Sequence, residues 1–196
     1  MRSPDSRAGA VRLLRYALLA VLAAASLLPN AAAAPDTDVI EVKPEPGGGV
    51  RATARVTFPA KPSVIHAMLT DYAHWPELFD VRMRMADIAV REGVVRTDVR
   101  IEHALLPGER RLVGESRILP DGRIVTDLVE GDFKRYHRAW TLTPVNGGAQ
   151  THAEFELIVA IDSIVPDWLV ALAMRRELEA HFKIVKGKSV QANREK

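Results

Sequence analysis

The side chains best suited to acid–base or metal chemistry are six histidines, and their spacing forms no metal motif. No two of them stand in an H-x-x-x-H arrangement, which would place two ligands on one helix face. The chain has no cysteine, so a metal site would need carboxylates from distant segments. The sequence therefore predicts no metal site. The histidines are His66, His74, His103, His137, His152 and His181.

Motifs for covalent catalysis and nucleotide binding are also missing from the sequence. There is no G-x-S-x-G, and Gly47–Gly49 precedes a strand-like segment and not a helix, so it cannot cradle a phosphate. Asp71 and His74 are close enough to form an acid–base pair, but a turn at a helix end explains both residues better. We therefore predict no catalytic residue and no cofactor, which favours a binding protein over an enzyme.

Arginines are frequent in the strand-like segments, but they alternate with acids such as Asp98, Glu102, Glu109 and Glu115. This mixture predicts a solvated outer face and not a nucleic-acid surface. The mildly basic C-terminal end favours at most a weak, transient contact with an anionic membrane surface. The strand arginines are Arg82, Arg84, Arg96, Arg100, Arg110, Arg111 and Arg117.

The N-terminal segment has the three parts of a secretory signal peptide. Four arginines precede an apolar run over residues 16–28, and small residues follow it up to Ala34. The run is shorter than the roughly 20 residues of a spanning helix, so cleavage after Ala33 is favoured over a retained anchor. Residues 1–33 hold four of the 27 basic and one of the 25 acidic residues, which leaves 23 and 24. A nearly neutral protein in the periplasm, or a secreted one, is the expectation.

The rest of the chain divides into a linker, one domain and a tail. Residues 34–49 are rich in proline and glycine and hold one extended piece at 39–43, while residues 191–196 form the tail. Within residues 50–190, apolar and polar side chains alternate over about seven segments joined by short turns, which predicts an antiparallel sheet. Two short helices follow the first strand, one over Val64–Leu69 and one starting at Pro76.

The longest helical pattern lies at the C-terminal end. Pro166-Asp167 opens a run without proline or glycine up to Gly187, where we expect the helix to end. Its apolar residues recur at helical spacing and predict one stripe that packs on the sheet. The stripe consists of Trp168, Ala171, Met174, Leu178, Phe182 and Val185.

Three stretches carry a resemblance to a known family. They are Leu69-Thr70-Asp71-Tyr72 with Pro76-Glu77, then Glu130-Gly131-Asp132-Phe133 leading to Trp140 and Pro144, and Ile164 to Leu169. Together with the element order they resemble the START-like (SRPBCC) superfamily, and within it the bacterial polyketide cyclase/dehydrase or coenzyme-Q-binding group. The resemblance implies an α+β helix-grip fold, a curved antiparallel sheet wrapped on the C-terminal helix.

Such a fold implies a cavity that holds an apolar molecule between sheet and helix. The inward candidates are Trp75, Phe79, Met83, Ile101, His103, Tyr136, Arg138, Trp140, Phe155, Leu157 and Leu172. For Trp75 and Trp140, plain core packing is the alternative. Arg138 departs from the family pattern, since a small residue is usual there. It either reaches solvent near a strand end, or stays inside with Glu130 or a ligand head group as its partner, and His103 shares that polar zone.

These observations give one leading function and two alternatives. The leading expectation is an exported binding or transfer protein for a quinone, isoprenoid, sterol-like or acyl compound. A polyketide-type cyclase or dehydratase using Arg138, His103 and Tyr136 is the enzyme alternative. A ligand-free envelope interaction protein is the third, and it would have a filled interior. Neither composition nor pattern predicts an oligomeric state.

Overall fold

The computed structural model describes residues 38–194, so the predicted signal peptide lies outside the described part of the chain. In this described part, eight strands and two α-helices make up an α+β fold. The strands are β1 (Val39–Pro44), β2 (Val50–Phe58), β3 (Arg82–Arg91), β4 (Val94–His103), β5 (Leu106–Ile118), β6 (Ile124–Gly131), β7 (Phe133–Val145) and β8 (Gln150–Ile161). The helices are a first helix (Pro62–Thr70), a 3-10 helix (Tyr72–Leu78), a 3-10 turn (Asn146–Gly148) and a C-terminal helix (Asp167–Arg194).

All eight strands belong to one antiparallel sheet in the order β1-β2-β8-β7-β6-β5-β4-β3. The predicted α+β helix-grip class is confirmed. The extended piece predicted within the linker is β1, an edge strand that pairs with β2 from Val39↔Arg55 to Pro44↔Val50. Ile40 and Val42 of β1 pack against the core, and this burial holds the segment in the sheet.

Two irregularities curve the sheet around the helix. Register shifts interrupt β3, β4, β5 and β7, and such bulges bend a strand and increase its twist. Strands β6 and β7 pair only from Ile124↔Trp140 to Asp127↔His137, whereas β7 pairs with β8 along its whole length. The register shift between Phe133 and Arg135 brings Phe133 and Tyr136, in the N-terminal end of β7, to the interior face of the sheet.

The two predicted short helices exist, with different starts. The first helix begins at Pro62, with Lys61 as its N-cap residue. Proline suits the first position of a helix, because an N–H at that position would have no partner within the helix. The second is a 3-10 helix that begins at Tyr72 and contains Pro76 in its interior, not at its start. Trp75 Nε1 donates to the Leu69 carbonyl oxygen at 2.9 Å and ties the two helices into one corner.

The C-terminal helix is longer than predicted and runs through Gly187 to Arg194. Burial continues beyond the glycine because Ser189 is fully buried and Ala192 packs against the core. Ala171, Leu178, Phe182 and Val185 of the predicted stripe are buried. Trp168 is not, with 65% of its surface exposed. The first turn of the helix is therefore left uncovered.

An aromatic cluster forms the centre of the core under the helix. Trp140 contacts Phe155 at 4.6 Å and Phe182 at 5.9 Å between ring centroids, and its neighbours across the sheet are Ile124 and Phe155. Within residues 38–194, no helix is long and apolar enough to cross a bilayer.

Candidate functional site

A mostly apolar cavity of about 180 Å³ lies between the curved sheet and the C-terminal helix. It is partly open to solvent. Its wall comes from the 3-10 helix, strands β3, β4, β5, β7 and β8, and the N-terminal half of the C-terminal helix. The lining residues are Trp75, Phe79, Val81, Met83, Val99, Ile101, His103, Leu105, Leu106, Leu112, Phe133, Tyr136, Arg138, Phe155, Leu157, Val159, Ile161, Val170, Ala173, Met174, Glu177, Leu178 and His181.

Nine of the eleven candidates from the sequence line this cavity. The two that do not are Trp140 and Leu172. Trp140 is 1% exposed and packs behind the cavity wall, as its core-packing alternative predicted. Leu172 is 44% exposed because it stands three and four residues before Arg175 and Arg176 on the outward face of the helix. The nine are Trp75, Phe79, Met83, Ile101, His103, Tyr136, Arg138, Phe155 and Leu157.

Among the described residues that line the cavity, Arg138 is the one arginine or lysine, and it is only 7% exposed. Its guanidinium carbon lies 4.0 Å from the ring centroid of Trp75, a cation–π contact. One amino group donates to Thr126 Oγ1 at 3.2 Å, and Thr126 Oγ1 in turn hydrogen-bonds Ser116 Oγ at 2.8 Å. Residues 116, 126 and 138 are paired neighbours on β5, β6 and β7, so the strand register builds this polar row.

The surroundings of Arg138 exclude two of its predicted arrangements, namely that its side chain reaches solvent and that it pairs with Glu130. Its burial excludes the reading in which it reaches solvent. Glu130 is bound instead by Arg111 and by Arg96, on the outer face. Among residues 38–194, no carboxylate lies within ion-pair distance of Arg138, and its buried Nε–H has no hydrogen-bond partner. The cavity therefore contains a charge that the described residues leave unneutralised.

His181 forms the floor of the cavity and is held neutral. Its Nδ1 donates to the Leu78 carbonyl oxygen at 2.7 Å, and its ring stacks on Phe79 with centroids 4.4 Å apart. Loss of hydration lowers the pKa of His181 to about 4, the Leu78 hydrogen bond opposes that shift, and the positive charge of Arg138 adds to it. The imidazole is therefore uncharged at neutral pH, with its Nε2 as the unprotonated nitrogen.

Side-chain exposure distinguishes the outer end of the cavity from the inner end. His103 and Glu177 retain 22% and 34% exposure, and His103 Nε2 lies 3.7 Å from Glu177 Oε1. His103 Nδ1 accepts a hydrogen bond from the Leu105 amide at 3.1 Å. His103 shares the cavity with Arg138, as expected, but its contacts are with Leu105 and Glu177. The inner end consists of Trp75, Arg138, Phe155 and His181, all nearly buried.

The other chemical candidates lie away from the cavity. His74 Nδ1 is 2.8 Å from Asp71 Oδ2, and this exposed contact raises the pKa of His74. Six of the seven strand arginines pair with acids on the outer face, for example Arg82 with Glu102 and Arg84 with Glu109, as the predicted mixed-charge surface requires. Arg110 is the exception, since it lies across from Ile101 on the inward face of the sheet and its buried Nε–H has no hydrogen-bond partner. Among the residues that the structure describes, no group of three or more His, Asp or Glu side chains is arranged to hold a metal ion.

Sequence reasoning missed four notable lining residues: Phe133, Ala173, Glu177 and His181. His181 stands three residues after Leu178 and four before Val185, so helical spacing alone places it on the buried face. Glu177 lies outside the predicted apolar stripe of the C-terminal helix, yet it lines the outer rim beside His103, the last residue of β4. Strand alternation would place Phe133 and Tyr136 on opposite faces, and the register shift between Phe133 and Arg135 turns Phe133 inward.

The fold and the cavity define this protein as a helix-grip protein of the START-like class. The model of a family described as polyketide cyclase / dehydrase and lipid transport matches residues 58–181, which is more than half of the chain. The chain belongs to this family. No curated protein matches the sequence.

Several solved structures have the same fold. A STAR-related lipid transfer protein from Xanthomonas axonopodis is 14% identical with a TM-score of 0.62, covering 79% of this chain and 94% of its own. A START superfamily protein from Mycobacterium smegmatis is 18% identical with a TM-score of 0.57, covering 72% and 98%. The Zhui aromatase/cyclase from Streptomyces sp. R1128 is 10% identical with a TM-score of 0.56, covering 72% and 93%. At these identities the likeness concerns the fold alone.

Proposed function

We propose that this protein binds a hydrophobic, lipid-like molecule in the cavity and carries it in the cell envelope. The observation that carries the proposal is the cavity itself, which is lined almost wholly by apolar side chains and lies under the long helix. An empty apolar space in a well-packed protein forfeits dispersion contacts that a ligand restores. The membership of a family that includes lipid transport supports the same reading.

The size of the cavity limits how the ligand binds. At about 180 Å³ it is smaller than the roughly 300–1,000 Å³ of ordinary ligand pockets. Met83 and Met174 line it, and the unbranched methionine side chain has three rotatable bonds that adapt to new shapes. A quinone, isoprenoid, sterol-like or acyl ligand therefore displaces these side chains or leaves part of its tail at the open end.

A cyclase or dehydratase of polyketide-like substrates is the second candidate. One specific observation favours it: Arg138, Tyr136, His103 and His181 bring four polar groups to one apolar cavity, and the family description includes that activity. The carrier ranks first because His181 is neutral and bound to a backbone carbonyl, and His103 sits at the rim. The ligand-free interaction protein ranks last because it requires a filled interior.

Export is part of the proposal and rests on the N-terminal sequence. The arginine-rich start, the short apolar run and the small residues before Ala34 support secretion to the periplasm or beyond. Fractionation of the producing cells followed by N-terminal sequencing tests it. A mature N-terminus near residue 34 in the periplasmic or secreted fraction is expected, and a full-length cytoplasmic chain would contradict export.

A transient membrane contact is proposed at the start of the C-terminal helix, beside Val170 and Ala173 of the cavity wall. Ile164, Trp168 and Leu172 expose their side chains there, and Arg175 and Arg176 follow on the helix. Tryptophan and arginine together suit the interface of an anionic bilayer. We expect Trp168→Ser to reduce sedimentation with phosphatidylglycerol vesicles severalfold, whereas Val90→Ser, a change at another exposed apolar residue, leaves it unaltered.

Native mass spectrometry of protein purified gently from its own cell envelope tests the carrier function. The expected result is one small apolar molecule per chain, which solvent extraction then releases for identification. A folded chain with only its own mass, and with no extractable lipid, argues against the carrier. Turnover of a polyketide-like substrate that is lost in Arg138→Met and His103→Ala would instead favour the enzyme.

A further inference from the structure

We infer that the ligand is an amphiphile with one terminal carboxylate, bound with that carboxylate against Arg138 at the inner end of the cavity and its apolar tail toward His103 and Glu177. This inference rests on the proposed function and narrows it to a ligand class and an orientation. The starting observation is a guanidinium that is 7% exposed, lines the cavity and has no ion-pair partner among the described residues.

Arg138 brings a positive charge into the cavity wall. An arginine guanidinium is a delocalised cation with five N–H donors and no acceptor. The contacts that it does make, the Trp75 ring and the Thr126 hydroxyl, are neutral groups that use few of its five N–H donors. A buried charge without a counter-charge is costly, so an anion at this point completes an incomplete site.

One negative charge is the amount that the cavity accommodates. His181 beside Arg138 is neutral, and the other ionisable lining groups are Tyr136 and, at the rim, His103 and Glu177, which face each other. A carboxylate forms a neutral pair with Arg138 and matches its fork of parallel N–H donors. A phosphate monoester carries nearly two charges at neutral pH, and the described cavity wall offers no second arginine or lysine to balance the excess.

The shape of the site favours a terminal head group. The inner end is closed by Trp75, Phe155, Leu178 and His181, all below 9% exposure. A carboxylate ends a chain and needs space on one side only. A phosphodiester carries substituents on both sides, which a closed end excludes.

The negative charge of Glu177 at the rim of the cavity indicates the orientation of the bound ligand. Glu177 lies at the outer end, where its carboxylate repels an anionic head group that stays outside. Apolar side chains line the path between Glu177 and Arg138, and the tail replaces empty space along them. Binding head-first therefore satisfies the arginine and the apolar walls at the same time.

Competition by three ligands of equal chain length tests this inference. Decanoate, decan-1-ol and decyl phosphate displace the neutral fluorophore N-phenyl-1-naphthylamine from the full chain. We expect decanoate to displace it at a concentration at least tenfold lower than decan-1-ol, since a charge-assisted hydrogen-bonded pair is worth about that factor or more. Arg138→Met should abolish the preference for the acid, and Arg138→Lys should retain part of it. Arg117→Met, which removes an outer-face arginine, should leave it intact.

The outcomes separate this inference from the proposed function. If decan-1-ol competes as well as decanoate in the wild type, the carboxylate assignment is overturned while hydrophobic binding stands. If decyl phosphate competes best, a phosphorylated ligand replaces the carboxylate. If neither the fluorophore nor any ligand binds, the proposed function fails and this inference fails with it. The wild-type comparison remains decisive if Arg138→Met does not fold.

Discussion

His181 is a buried histidine whose neutral form the fold requires. Only 3% of its surface is exposed, and its pKa falls to about 4 because burial removes the hydration of the charged ring. The unfolded chain binds this proton at about pH 6.5, and the folded chain does so only near pH 4. The stability contribution is therefore complete above pH 6.5 and is lost as the pH falls toward 4.

This linkage gives a prediction for His181→Asn, which keeps a donor near the position of Nδ1. Between pH 7.5 and pH 5.0, the free energy of unfolding should fall by about 2 kcal/mol less in the variant than in the wild type, because one buried titration is removed. Urea denaturation at the two pH values measures the difference. Equal losses in both proteins would mean that His181 does not titrate as its burial implies.

Arg138 contrasts with His181, since it keeps its charge in the same apolar surroundings. The Trp75 face and the Thr126 hydroxyl moderate that charge without neutralising it. Replacing buried ionic groups by apolar residues of similar volume often stabilises a protein. Arg138→Met should therefore raise the free energy of unfolding of the ligand-free protein by about 1–3 kcal/mol in urea denaturation, while Arg117→Met changes it by less than about 0.5 kcal/mol. A loss of stability in Arg138→Met would indicate a structural role.

Among the elements, the C-terminal helix extends further than its sequence pattern predicted. Gly187 has the position of a helix-ending glycine, yet the helix continues for seven residues. Ser189 and Ala192 are packed on the core, Ser189 Oγ donates to the Lys186 carbonyl oxygen at 2.8 Å, and Lys188 pairs with Glu77 at 2.6 Å. These contacts outweigh the roughly 1 kcal/mol cost of a glycine inside a helix.

A helical Gly187, as in the structure, and a left-handed Gly187 at a helix end predict opposite effects of an added methyl group. In a continuous helix, Gly187→Ala should raise the free energy of unfolding by about 0.5–1 kcal/mol, because a Cβ there meets nothing within 4 Å. In a left-handed helix end, alanine would destabilise the chain instead. Thermal and urea unfolding of the variant against the wild type distinguish them. Gly131→Ala is the contrast, since its Cβ would lie 2.3 Å from the Arg111 carbonyl oxygen.

Most of the fold could be predicted from apolar side chains that recur every two residues in strands and about every 3.6 residues in helices. They predicted the meander, the helical corner and the long helix because burial on one face sets those periods. They predicted an extended piece at residues 39–43 of the linker, but not that this piece is β1, an edge strand of the sheet that pairs with β2. They also misplaced Trp168, which is in phase with the buried stripe but lies on a turn that no strand covers.

The site was less predictable than the fold, for a physical reason. Alternation says which side chains point inward, but not whether they meet each other or leave space. Trp140 and Phe155 both point inward, and only Phe155 reaches the cavity. The missing partner of Arg138 was likewise a question of distances, since Glu130 is bound by Arg111 on the opposite face of the sheet.

At the scale of the whole molecule, the stability of the fold and the binding of a ligand depend on different ends of the interface between sheet and helix. The end under Phe182 and Val185 is filled, with Trp140 and Phe155 packed against the helix. The end under Val170, Ala173 and Met174 remains hollow. The outer face is neutralised by paired arginines and acids, as in Arg82–Glu102. The interior is thus the only surface among the described residues that we assign to a lipid-like ligand.

The most direct test of this assignment fills the hollow without disturbing the rest of the fold. Ala173→Phe places a ring in the cavity from the C-terminal helix, and Leu172→Phe adds a ring at the adjacent exposed position. Binding of N-phenyl-1-naphthylamine is titrated by fluorescence for both variants and the wild type, with circular dichroism to confirm folding. We predict that Ala173→Phe weakens binding at least tenfold while Leu172→Phe binds as the wild type does. Equal binding by a folded Ala173→Phe would contradict the cavity as the ligand site.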